Sequence, residues 1–291
     1  MKQDSRHTTV MTRDGIALSV AVVGQGEPVI FVHEFSGDLR SWAPQVEALS
    51  RGCQCICFNA RGYPPSQVPG PIDAYTQERA ADDVADVMDG LGIARASLVG
   101  LSMGGFAALH VAIRHPERAR ALVVAGCGYG AKLSDQADHF AAMNREADHA
   151  EEAGMLAYAR ELADSRYARP LRAKDEAAWQ QFGQQLATHS VQGMAMTLRG
   201  VLARRPSLWH LAPQLSQISQ PVLLIVGDED EPCIEPNLFM KRTLRDCALA
   251  IMPRAGHLLN LEEPHSFNAL IEDFFTAVSD GRWDRIRTSI L

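Results

Sequence analysis

Several short stretches of this chain are apolar at nearly every position rather than at every second one: Val29–Val32, Ser97–Val99, Ala121–Ala125, Pro221–Val226 and Ala248–Met252. A strand with one wet face alternates, so unbroken apolar runs predict strands buried on both faces, as in a parallel sheet covered by helices. The segments between them fit that reading. Leu39–Leu49, Glu78–Leu91, Met103–Arg114, Leu238–Leu244 and Glu262–Val278 carry helical patterns, and Cys53–Phe58 reads as a further strand. Strands alternating with helices predict an α/β fold with a mostly parallel sheet. The chain opens differently, with Thr8–Thr12 and Ile16–Val23 joined at Asp14-Gly15, a dipeptide suited to a tight antiparallel hairpin.

From Gly128 to Ala212 the strand signal disappears, and Ala, Glu, Gln, Met and Arg dominate. Those residue types favour helix. The expected organisation is therefore one core of residues 1–127 and 213–291, with a helical cap, 128–212, inserted late in the sheet. A chain of 291 residues is an ordinary size for a single large α/β core. The tail from Ser279 carries Trp283 and ends Ile290-Leu291, which fits a frayed end, packing on the core or contact with a second subunit, so a homo-oligomer is left open.

Composition excludes several classes. No run approaches the ~20 apolar residues needed to span a bilayer, so no membrane partner is expected. Met1–Val10 is polar and lacks the apolar stretch of a secretory signal, which makes the cytoplasm the expected location. The net charge of −7 repels a phosphate backbone, and no basic block is interleaved with aromatics, so nucleic acid is not an expected partner. Six cysteines show no C-x-x-C spacing, and Cys53, Cys55 and Cys57 share one strand face, where free cysteines serve as small apolar side chains.

The segment with chemistry is Gly100-Leu101-Ser102-Met103-Gly104-Gly105, which leaves the Ser97–Val99 strand and enters the Met103–Arg114 helix. A serine on so sharp a strand-to-helix turn is held proud of the sheet, and glycines two residues to either side remove side chains that would collide. The helix behind it aims its amide groups and positive dipole end at a developing anion, so the Met103 N–H is an expected oxyanion donor. A serine hydroxyl needs a base within hydrogen-bond reach and a carboxylate to orient that base. Acidic residues close the next strand in Gly227-Asp228-Glu229-Asp230-Glu231, and His257 follows the last strand in Arg254-Ala255-Gly256-His257. His33 also follows a strand. His110 and His115, at the elbow helix, read as structural, and His139, His149, His189 and His210 as solvated helix positions.

With GLSMGG, the GDED turn and AGH in this order, residues 8–278 resemble the α/β-hydrolase superfamily. The resemblance implies a catalytic triad of Ser102, Asp230 and His257, with Asp230 rather than Asp228 in the position of the acid. It also implies a second oxyanion donor at the Phe35 N–H, in His33-Glu34-Phe35-Ser36-Gly37, where Glu34 replaces a glycine usual in the family. Serine rather than aspartate at the elbow sets the chain apart from dehalogenases and epoxide hydrolases, and Leu258 after the histidine differs from the tryptophan of ring-cleavage-product hydrolases. HExxH zinc binding is excluded because position 37 is glycine, and Gly126-Cys127-Gly128-Tyr129-Gly130 lacks the last glycine of a dinucleotide fingerprint.

No cofactor or metal is expected. The expected activity is hydrolysis of a carboxylic ester or related small-molecule acyl substrate through an acyl-enzyme on Ser102. Lactone, thioester or carbon–carbon bond hydrolysis, and cofactor-free haloperoxidase or perhydrolase chemistry, fit the same scaffold. A non-catalytic small-ligand receptor of this fold is the alternative of another class. The cap should close over Ser102, with Glu34, Met194 and Leu198 as expected pocket residues, the last two from a helix read over Ser190–Arg205. Arg199, Arg204 and Arg205 are candidates for an acidic substrate group.

Overall fold

The computed structural model describes residues 5–283. Its eight-stranded sheet runs in the order β1 (Ser5–Met11), β2 (Ala17–Val23), β4 (Cys53–Phe58), β3 (Glu27–Val32), β5 (Ala96–Leu101), β6 (Ala119–Ala125), β7 (Val222–Gly227), β8 (Cys247–Met252). The first hairpin and the β2–β4 pair are antiparallel, and every other pair is parallel. Parallel neighbours end at the same edge, which brings the loops after β3, β5, β7 and β8 together.

Three helices fall between the strands in the first half: α1 (Ala43–Leu49), α2 (Gln77–Leu91) and α3 (Met103–Arg114). The excursion between β6 and β7 contains α4 (Gln136–Ala153), α5 (Met155–Asp164), α6 (Arg169–Lys174), α7 (Glu176–Leu186), α8 (Val191–Thr197) and α9 (Ala212–Leu215). The chain then supplies α10 (Glu231–Thr243), α11 (Leu259–Glu262) and α12 (Pro264–Ser279).

Alternate strand residues feed two separate cores. Ile30, Val32, Leu98, Leu122 and Leu224 pack with Val84, Met88, Phe106 and Met240 on the α2, α3 and α10 side. Val29, Phe31, Val99, Val123 and Ile225 pack with Trp42, Phe267, Ile271 and Phe274 on the α1 and α12 side. This two-sided burial is why the strands read as unbroken apolar runs. Cys55 and Cys57 lie in the second core, where burial pushes the Cys55 thiol up to about 12. The three thiols of β4 are not among the groups of metal-capable atoms that lie together in the described residues.

Several sequence expectations shift. Leu39–Leu49 is a 3-10 turn at Leu39–Trp42 followed by α1, with Pro44 in its first turn. The helix read at Leu238–Leu244 starts instead at Glu231, because Pro232 occupies a first-turn position where its missing N–H costs nothing. The single helix read over Ser190–Arg205 is α8 followed by a π-helical turn at Leu198–Leu202. Trp283 packs edge-on against Phe274 and donates to Asp246 at 2.8 Å, so the start of the tail lies on the core. Ile290-Leu291 falls outside the described residues, and among the described residues no helix is long and apolar enough to cross a membrane.

Candidate active site

Ser102 sits between β5 and α3 with φ 53° and ψ −111°. That backbone is disfavoured for any residue with a Cβ, at a cost of about 1–3 kcal/mol. It is held by Ser102 N–H donating to the Ala125 carbonyl at 2.8 Å, and by Phe106 N–H donating to the Ser102 carbonyl at 3.1 Å. The glycines around it are required by contact: a Cβ at Gly104 would fall 1.9 Å from the Val32 carbonyl oxygen, and one at Gly100 2.2 Å from that of Gly104. The turn is thereby pressed against the end of β3. Met103 is the first residue of α3, where an N–H has no acceptor within the helix.

Asp230 and His257, 27 residues apart, meet in a hydrogen bond of 2.7 Å between Asp230 Oδ2 and His257 Nδ1. A carboxylate accepts only, so the proton of neutral His257 lies on Nδ1 and Nε2 is left as the basic nitrogen. Burial opposes the charged imidazolium. The charge and hydrogen bond of Asp230, with Glu34 and Glu262 adding, outweigh it and raise His257 above its ordinary 6.5. Asp228 braces the neighbouring backbone instead, with its Oδ1 accepting from Ala255 N–H at 3.2 Å while Glu229 N–H donates to the Ala255 carbonyl at 3.0 Å. The two aspartates thus divide the work, one on the imidazole and one on the loop that carries it.

A residue the sequence pattern does not single out holds that loop from the other side. Glu262, 5% exposed, accepts from Gly256 N–H at 2.6 Å and from Leu258 N–H at 3.0 Å, the amides flanking His257. The legible signal was an acidic residue five positions after the histidine, in a short helix without a Ser, Thr, Asp or Asn cap. Glu262→Ala leaves two buried amides unpaired, at about 1–3 kcal/mol each. We expect lower thermal stability and, from a displaced base, a fall in kcat of roughly 10–100-fold with KM little changed. Full kcat in a folded Glu262→Ala protein excludes this role.

The turn after β3 is also pinned. His33 is fully buried; its Nε2 accepts from Ala60 N–H at 3.0 Å, which places its proton on Nδ1 to donate to the Glu34 carbonyl at 2.7 Å. Burial lowers its pKa to about 4, so it is neutral and acts as a strut. Tyr63 Oη donates to the Phe35 carbonyl at 2.8 Å, and the Phe35 side chain packs between two apolar clusters. The Glu34 carboxyl is fully buried beneath this turn.

The helical excursion reaches the same place. The Tyr167 ring lies 5.0 Å from that of His257, and its hydroxyl is 2.9 Å from Ser36 Oγ. Met194 is fully buried in a cluster with Leu258, Tyr158 and Leu171, and Leu198 is buried with Met103, Tyr63 and Tyr75. Of the three candidate arginines, Arg199 pairs with Asp148 and Glu151, Arg205 is buried over the Phe106 ring, and Arg204 is exposed. His139 and His189 are buried rather than solvated, bonded to the Leu202 carbonyl and to Asp38, because other segments cover their helix faces.

Two groups of metal-capable atoms occur among the described residues, Asp230 with Cys233 and His257, and Asp14 with Asp83 and Asp86. In the first, carboxylate and imidazole are bonded to each other; in the second, Arg61 takes up Asp14 and Asp83, and Arg13 takes up Asp86.

Comparison with known proteins agrees with this architecture. The chain is 27% identical over 274 residues to a Bacillus subtilis protein provisionally named a 2-succinyl-6-hydroxy-2,4-cyclohexadiene-1-carboxylate synthase, covering 92% of this chain and 98% of that one. It is 28% identical over 276 residues to 3-oxoadipate enol-lactonase 1 of Acinetobacter baylyi, covering 94% and 98%. Among solved structures, a thermophilic esterase from Thermogutta terrifontis superposes with a TM-score of 0.83 at 26% identity, covering 94% and 99%. The model of the alpha/beta hydrolase fold family matches residues 27–264, and this chain belongs to that family.

Proposed function

We propose that this chain hydrolyses a carboxylic ester or related small-molecule acyl substrate through an acyl-enzyme on Ser102. The observation that carries the reading is the 2.7 Å Asp230–His257 hydrogen bond at the sheet edge where the strained Ser102 turn also lies. In this mechanism Ser102 Oγ attacks the acyl carbon as its proton passes to His257 Nε2. The Phe35 and Met103 amides hold the oxyanion, an electrostatic contribution worth about 2.7–4 kcal/mol per donor. Collapse expels the alkoxide, which takes the proton back from His257, and water repeats the sequence to free the acid. The segment 128–212 is proposed as the cap that excludes water, with Tyr167 its point of contact on His257.

A lactone is the variant with specific support, since 3-oxoadipate enol-lactonases are among the relatives that match over most of this chain. It is an ester whose leaving group stays tethered, so the same residues suffice. The test is an activated phosphonate alongside chromogenic esters and lactones. We expect an adduct on the peptide containing Ser102, with loss of turnover in proportion to labelling. Ligand-induced stabilisation with neither adduct nor turnover overturns the enzyme reading in favour of a receptor.

A further inference from the structure

Cys233 takes no part in the proposed acyl transfer, yet it stands against groups that do. It is the third residue of α10 and fully buried. Asp230 lies just ahead of the helix, and Cys233 N–H donates to its carbonyl at 2.9 Å, so one turn of chain carries both side chains. Cys233 Sγ is 4.0 Å from His257 Nδ1, the nitrogen that Asp230 Oδ2 meets at 2.7 Å, and 3.4 Å from the Gly126 carbonyl oxygen. A carboxylate oxygen, a sulfur and a ring nitrogen thus lie within 4.8 Å of one another.

Sulfur, imidazole and carboxylate together suit a borderline-soft ion of the zinc class rather than magnesium or calcium, which take oxygen ligands. With zinc bonds of about 2.3 Å to sulfur and about 2.0–2.2 Å to nitrogen and oxygen, tetrahedral angles place sulfur about 3.6 Å and oxygen about 3.4 Å from the nitrogen. From the observed 4.0 and 2.7 Å, the sulfur has only to close by about 0.4 Å while the carboxylate backs off by about 0.7 Å. Charge balances as well. Burial keeps the free thiol protonated, and a coordinating ion deprotonates it outright. Thiolate and carboxylate then offset a divalent charge, so the filled site buries no net charge. The group of Asp14, Asp83 and Asp86 differs, since Arg61 and Arg13 already supply its positive charge.

We propose that Asp230, Cys233 and His257 form a binding site for a zinc-class divalent ion, and that filling it switches the hydrolase off. The second half rests on His257 as the base of the proposed reaction. On binding, the Cys233 proton leaves to solvent, and the proton on His257 Nδ1 moves to Nε2 as the ion takes Nδ1. An imidazole with its proton on Nε2 cannot receive the one from Ser102, and Asp230 no longer orients the ring. Three protein ligands leave the fourth position of the ion to water. Asp230 and His257 therefore serve either the ion or the acyl transfer, never both, and the ion is a reversible inhibitor.

The test titrates Co²⁺, a spectroscopic stand-in for zinc, into the full chain after treatment with EDTA and removal of the chelator. We expect a thiolate-to-cobalt charge-transfer band that saturates at one ion per chain, is displaced by Zn²⁺ and is absent from Cys233→Ala. This readout needs no turnover. In parallel, Zn²⁺ should inhibit ester hydrolysis by the wild type, and EDTA should restore it. The half-inhibiting concentration should rise roughly 100-fold in Cys233→Ala, each protein scored against its own metal-free rate, since losing even an outer partner of a ligand costs about 10–100-fold. No band in the wild type, or the same band in Cys233→Ala, overturns the proposal. A Cys233-dependent band with hydrolysis undiminished by saturating Zn²⁺ overturns the switch and, with it, His257 as the base, while the ion site stands. Cys233→Ser, which keeps the size but offers zinc a poor ligand, replaces alanine if that protein does not fold.

Discussion

Ser102→Ala is expected to lower kcat by roughly a millionfold while leaving the fold and ligand affinity intact. The magnitude follows from how nucleophile, base and acid act as one unit, so that loss of the nucleophile alone removes nearly all they contribute together. At 1.36 kcal/mol per factor of ten, this is about 8 kcal/mol of transition-state stabilisation. Some acceleration over water should survive through the Phe35 and Met103 amides. Alanine also relieves nothing at the turn, because its Cβ meets the same unfavourable backbone at φ 53°. The thermal midpoint should therefore move little, and single-turnover assays should show no burst. Near-normal ester turnover in a preparation verified free of contaminating hydrolase would sink the acyl-enzyme mechanism.

Asp230→Asn is expected to cost about ten-thousandfold in kcat. Asparagine fits the space but can present its amide N–H₂ to His257 Nδ1. The imidazole then carries its proton on Nε2, where it cannot receive the one from Ser102. The pH profile supplies a second reading with a definite sign. As the proposed base, His257 acts only when neutral, so activity is expected to rise as pH climbs through its pKa, which Asp230 holds above the ordinary 6.5 despite burial. Removing that charge should move the acid limb to lower pH as well as lowering the plateau. Asp228→Asn is the control: its carboxylate supports Ala255 N–H, a contact an amide oxygen can replace, so the loss should be far smaller. Equal losses in the two variants would reassign the acid.

Much of the frame was legible because local periodicity encodes it. Val29–Val32 and Val222–Val226 read as strands covered on both sides, and the structure places alternate residues of each in two separate cores. The turn at Ser102 was legible for a similar reason, since the glycine spacing, the strand before and the helix behind all lie within the eighteen residues from Ser97 to Arg114. Start points were less legible. α10 begins at Glu231 rather than near Leu238 because its first turns are acidic and proline-rich, and carry little apolar pattern.

Contacts between distant loops were not legible. Glu262 looked like the ordinary start of a closing helix, and only the folded loop shows both its oxygens committed to the amides around His257. Tyr167 lay in a helical segment with no reason to be singled out, yet it reaches across to Ser36, 131 residues away. His139 and His189 read as solvated because a helix pattern does not say which neighbour will cover it.

By itself the sequence determined a parallel sheet, a serine at its strand-to-helix turn, and acid and histidine candidates in order along the chain. The resemblance already pointed to Asp230 over Asp228, but only tertiary structure decided that Asp228 braces the loop that carries the imidazole, and that Glu34 is buried with an oxygen left unpaired. The division has a physical origin. Strands and helices follow from the residues a few positions away, whereas orientation at the sheet edge depends on loops that converge only because parallel strands end on the same side.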